Sequence, residues 1–152
     1  MPVPSIKKRK KKEEPRTSLS FHALLLGYIY TITPLIIIDA LWLGVIAKKF
    51  YLTHIGYLMT SNPNWIAISL FYLLYPVGIM IFVLEPSKGN MKKTAILGSL
   101  FGFFTYATYE LTNRGVIFQW PWTVVIIDIL WGVVLTATVS TLAVYFFQKK
   151  HT

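Results

Sequence analysis

From His22 to Ala47 the chain carries a single charged side chain, Asp39. A bilayer-crossing helix needs about 20 mostly apolar residues, so this run already excludes most soluble architectures. It is also too long for the apolar part of a cleavable signal, which spans about 7–15 residues. No small-residue cleavage site follows it. Three more runs have similar character, and the expected spans are about 23–47, 65–84, 94–113 and 122–147. The fold class that follows is an all-α membrane protein, a four-transmembrane-helix bundle occupying residues 21–148. Pro34 and Pro76 fall inside the first two spans, where each removes a backbone donor and bends the helix. Composition agrees, because charged residues make up only 14% of the 152-residue chain, against about 25% in soluble domains.

Charge distribution sets the expected orientation. Seven of the fifteen basic residues precede residue 17, mostly in KKRKKK, Lys7–Lys12. Such a tail reads as a disordered, solvated cytoplasmic segment over residues 1–20 that contacts anionic lipid headgroups. A nucleic-acid role is the weaker reading, since short basic runs are common. With four spans, the tail, Lys88, Lys92, Lys93, Lys149 and Lys150 share one side, so both termini are expected to be cytoplasmic. The expected location is the inner (cytoplasmic) membrane of a bacterium, with multiple passes. Trp65, Trp120 and Trp122 read as markers of the opposite interface. Between the first two spans, Tyr51, Leu52, Ile55, Leu58 and Met59 recur at helical spacing, which predicts a short helix or an ordered loop there.

Of the six acidic residues, Asp39, Glu110 and Asp128 lie inside apolar runs. A mid-membrane carboxylate costs about 2.5–3.5 kcal/mol on insertion scales and commonly marks an ion, proton or substrate path. At ~1.5 Å rise per residue, Asp39, Asp128 and Glu110 lie about 10, 9 and 5 Å below one interface. The expected outcome is a polar acidic pocket in the outer half of the bundle. The competing reading is protonated acids that only hydrogen-bond across helices.

Two stretches share a spacing: IIIDALWLGV (36–45) and VIIDILWGVV (125–134). Asp and Trp three residues apart sit on one helix face, and the indole N–H is a donor without acceptor capacity. Trp42 and Trp131 are therefore candidate donors to a carboxylate on a neighbouring helix; packing bulk is the plainer role for each. In the third run, TYELTN (108–113) concentrates polar groups, and Gly98 and Gly102 form a GxxxG that allows close backbone approach. The candidate pocket residues are Asp39, Trp42, Tyr75, Tyr109, Glu110, Asn113, Asp128 and Trp131.

Cysteine is absent, so disulfides and thiolate chemistry are excluded. The three histidines form no HExxH, and there is no GxSxG, GxxxxGK[ST] or GxGxxG. No metal site and no cofactor is assigned. The leading function is binding or transport of a cation, proton or small polar solute; four spans are few for a transport path, so it calls for a homodimer or larger membrane complex. The alternatives are an intramembrane enzyme acting on a lipid or isoprenoid headgroup, through paired carboxyls of split pKa, and a structural or assembly partner.

DALWLG (39–44), KKFY (48–51), PNW (63–65), FYLLY (71–75), YATYELTN (106–113) and DILWG (128–132) together resemble the bacterial membrane proteins grouped as domain of unknown function 2177. The resemblance runs in order over roughly residues 22–147. It implies a small integral membrane protein with four predicted spans and transfers no catalytic role. Glu110 stands where the family pattern has Asp, and the lysine-rich first 20 residues look like an addition to the usual start.

Overall fold

The computed structural model describes residues 21–151. The expected disordered basic tail, with its lipid-contacting Lys7–Lys12, lies outside the described residues.

The chain is all-α. Helix α1 (Phe21–Leu41) passes through a wide π-type turn at Trp42–Ile46 into the short α2 (Lys48–Ile55). α3 (Trp65–Ile79) continues through a second wide turn, Met80–Leu84, into the one-turn α4 (Glu85–Ser87). α5 (Met91–Val116) and α6 (Trp122–His151) complete the chain. Local chemistry sets these boundaries. Asn64 Oδ1 accepts from the N–H groups of Ile66 and Ala67, both at 3.1 Å, and so caps α3. Asn90 Oδ1 does the same for α5 through Lys93 N–H at 2.9 Å. Between them, Lys88 and Gly89 take positive φ values of 50° and 75°, which ends α4 sharply.

Among the described residues, three helical stretches are long and apolar enough to cross a membrane: Phe21–Ile46, Trp65–Ser87 and Trp122–Lys150. α5 is not among them, so the expected four-transmembrane-helix bundle is corrected to a five-helix protein with three candidate spans, plus the one-turn α4. The reason lies in how α5 packs. It carries Lys92, Lys93, Glu110 and Arg114, and its buried positions are Thr94, Gly98, Gly102, Ala107 and Glu110. Small and polar residues let it approach α6 closely, and they lower its apolarity. The inference that both termini are cytoplasmic rested on an even number of spans and falls with it. So does the assignment of the carboxyls to an outer half.

The α5–α6 seam brings the two backbones nearly into contact. A Cβ on Gly102 would stand 2.1 Å from Gly132 O, and one on Gly132 would stand 2.3 Å from the Tyr106 ring. A Cβ on Gly98 would come within 3.0 Å of Ala137 Cα. Glycine is required here by proximity, as the GxxxG spacing anticipated. Against this seam α1 and α3 pack a fully buried cluster of Leu35, Ile79, Val83, Leu135 and Val139. A second cluster, Ala47, Tyr51, Trp120, Val124 and Val125, lies under α2. Ile37, Ile66, Leu74, Phe82 and Val134 point outward and are exposed, the pattern of a surface that faces acyl chains rather than water.

Candidate functional site

α1 and α6 run antiparallel, since Tyr30 packs on Phe146 near one end and Trp42 on Trp131 near the other. Each helix presents Asp and Trp one turn apart on the same face. Antiparallel pairing therefore sets each tryptophan near the other helix's aspartate. Trp131 Nε1 donates to Asp39 Oδ1 at 3.1 Å. Trp42 Nε1 donates to the Tyr51 hydroxyl at 3.2 Å, and that hydroxyl donates to Asp128 Oδ1. The two indoles lie face to face, 4.2 Å between centroids and 8° from parallel. Tyr72 Oη supplies a second bond to Asp39, at 2.9 Å to Oδ2. Asp39 is buried at 4% exposure, and Asp128 is half-buried.

α2 makes this arrangement possible. The wide turn at Trp42–Ile46 ends α1 early enough for α2 to fold back and lower Tyr51 onto Asp128. Burial, and then the bond to Asp128, hold the Tyr51 phenol above its ordinary pKa, so it stays a neutral donor.

Glu110 reaches the same cluster from α5, with its carboxyl within hydrogen-bond range of the Asp128 carboxyl. It is fully buried, and Trp120 Nε1 donates to its Oε2 at 2.8 Å. Among the described residues no N–H or hydroxyl group donates to its Oε1, and the buried Asn113 Nδ2 and Arg114 Nε on the next turn of α5 find no acceptor. The Arg114 guanidinium sits over the Trp122 ring at 5.3 Å, an ordinary cation–π distance. Trp120, at 7% exposure, is thus a buried carboxylate donor rather than an interface marker; Trp65 and Trp122 remain exposed.

A cavity of about 820 Å³ opens beside Asp39 and Asp128. Of the eight expected pocket residues, Asp39, Tyr75, Tyr109, Asp128 and Trp131 line it. Trp42 stands behind Trp131 in the stack, and neither Glu110 nor Asn113 is on the wall. Tyr75 reaches the hydroxyls of Thr136 and Thr105, at 2.8 and 3.2 Å, and not a carboxylate. The sequence reading did not single out Tyr51, Tyr72 or Trp120 as carboxylate donors. Tyr51 and Tyr72 do fall in the KKFY and FYLLY segments, which was the available signal.

Hydroxyl and indole N–H groups donate to all three carboxyls, and the Glu110 and Asp128 carboxyls also face each other. Such donors steady a carboxylate without neutralising it, so it can still accept from a further donor or attract a cation. Among the described residues, no three His, Asp or Glu side chains group as metal ligands.

No curated protein and no solved structure matches the chain. A family model described as "Predicted membrane protein (DUF2177)" matches residues 24–145, which include the α1–α6 crossing, the cavity wall and the α5–α6 seam. The chain belongs to that family of predicted membrane proteins.

Proposed function

We propose that this is a membrane-embedded binding protein that takes a cation-bearing solute onto a floor formed by Asp39 and Asp128. One observation carries the reading: two carboxyls from different helices line one cavity, and every group that donates to them is neutral. An acid placed in an apolar run for packing alone gains nothing from facing an open space, whereas a binding group must face one. The three bonds from Tyr51, Tyr72 and Trp131 fix the carboxylate orientations and use no more than half of the roughly four lone-pair sites on each group. Preorganised acceptors of this kind favour an ammonium-type donor over a neutral one.

Trp131 borders the cavity, and its fluorescence reports occupancy. Methylammonium chloride titrated into the purified protein is expected to give a saturable change that sodium acetate does not reproduce. Asp39→Asn and Asp128→Asn should each weaken it at least about tenfold, the loss of one charge-assisted bond. A signal that persists unchanged in both variants would remove the acid floor from the function.

A further inference from the structure

The size and walls of the cavity say more about the solute than its floor does. A water molecule's share of liquid volume is about 30 Å³, so a small ammonium ion of two heavy atoms fills under about a tenth of the 820 Å³. The remaining wall is apolar, built by Leu43, Leu52, Ile55, Met59 and Phe71. Leu43, Leu52, Met59 and Phe71 are also exposed at the surface, where the wall continues outward from the acids. Gly44 adds depth, because a Cβ there would meet no atom within 4 Å. The other charged group on the wall, Lys48, is exposed, and a lysine stem can lie along apolar surface while its ammonium reaches water.

From this division into acidic floor and apolar wall we infer that the solute is an amphiphile, with an ammonium head on Asp39 and Asp128 and a hydrocarbon chain along Leu43, Leu52, Ile55, Met59 and Phe71. The inference rests on the proposed acid floor and adds the chain. A compact cation would leave the apolar wall unfilled. A neutral lipid would leave the two carboxylates without a cation to balance them. A cation-headed amphiphile satisfies both and can be supplied by the bilayer, either as a lipid with an amine headgroup or as a free long-chain amine.

The test compares methylammonium, dodecylammonium and dodecyl sulfate by tryptophan fluorescence of the protein in dodecyl maltoside, with empty micelles subtracted. Dodecylammonium is expected to bind at least about a hundredfold more tightly than methylammonium, a gain that burial of roughly four of its added methylenes supplies. Gly44→Phe, which adds a ring where a Cβ meets no atom within 4 Å, should cut dodecylammonium affinity at least tenfold while helicity and the melting temperature stay at wild-type values. Competition with phosphatidylethanolamine then identifies the source: displacement assigns the head to a membrane lipid, and its absence assigns it to a free amine. Equal affinities for methylammonium and dodecylammonium would overturn the amphiphile and leave the acid floor standing. Saturable binding of neither would overturn both. Dodecyl sulfate binding as tightly as dodecylammonium would also overturn the inference, since chain partitioning would then explain the signal.

Discussion

Trp131, three residues after Asp128 on α6, donates its indole N–H to Asp39 on α1 at 3.1 Å and lies flat against Trp42. The two Asp-x-x-Trp stretches are therefore halves of one crossing. Trp131 serves Asp39 directly, and Trp42 serves Asp128 through the Tyr51 hydroxyl. The second arm is longer by one side chain, and that side chain comes from α2. As a result the short helix is held to the same carboxylates that line the cavity.

Removing the direct arm tests the crossing. Trp131→Phe keeps a ring for the stack but leaves buried Asp39 with only Tyr72 as donor. The expected loss is about 1–3 kcal/mol of stability, read by reversible unfolding in mixed micelles. Trp65→Phe, at an exposed site, should stay within about 0.5 kcal/mol of wild type.

The α5–α6 seam gives a steric prediction. Gly102→Ala would drive a methyl into the Gly132 carbonyl, and such overpacking costs about 1–3 kcal/mol or more. Gly115→Ala on the same helix meets nothing within 4 Å and should be neutral or stabilising by about 0.5–1 kcal/mol. Parallel melting curves of the two variants check the contrast.

Glu110 separates acceptor geometry from charge. Glu110→Gln keeps an oxygen for Trp120 N–H and should change stability little. Glu110→Ala leaves that buried donor unpaired and should cost about 1–3 kcal/mol. Equal losses in the two variants would mean that the carboxylate charge itself matters at this position.

Tyr51 should titrate late. Its phenol is held above the ordinary value of about 10 by burial and by Asp128. The folded protein thus holds this proton more tightly than the unfolded chain does. That stabilisation is fully present below about pH 10 and is lost as pH rises through the raised folded value. In a difference absorbance titration of wild type against Tyr51→Phe, the missing phenol should ionise above the exposed tyrosines. The stability gap between the two proteins should narrow in the same range.

Much of this site was legible because acids are costly in apolar runs. Asp39 and Asp128 could be singled out on that ground alone, and the i, i+3 spacing identified Trp42 and Trp131 as donors. The helical spacing from Tyr51 to Met59 marked a short helix or an ordered loop, and α2 with the turn after it lies there. The donors Tyr51 and Tyr72 were harder to read. A tyrosine in an apolar sequence is equally suited to packing and to an interface, and only the crossing of distant segments gives it a carboxylate. Trp120 looked like an interface marker until the fold placed it against Glu110. α5 was misread because Leu and Phe among its residues resemble a span, while its glycines, threonines and charges serve a seam with α6. Glu110 shared the acids' cost signal, yet it lies off the cavity wall, held by Trp120 and set against Asp128.

If Asp39 and Asp128 act together on one cationic head, carbon-13 NMR of the aspartate side-chain carboxyls, assigned through Asp39→Asn and Asp128→Asn, reads it with and without dodecylammonium. Both resonances are expected to move together along one saturation curve, each variant abolishing its own signal and weakening the response of the other. Binding that leaves both carboxyl resonances unmoved would contradict this joint action.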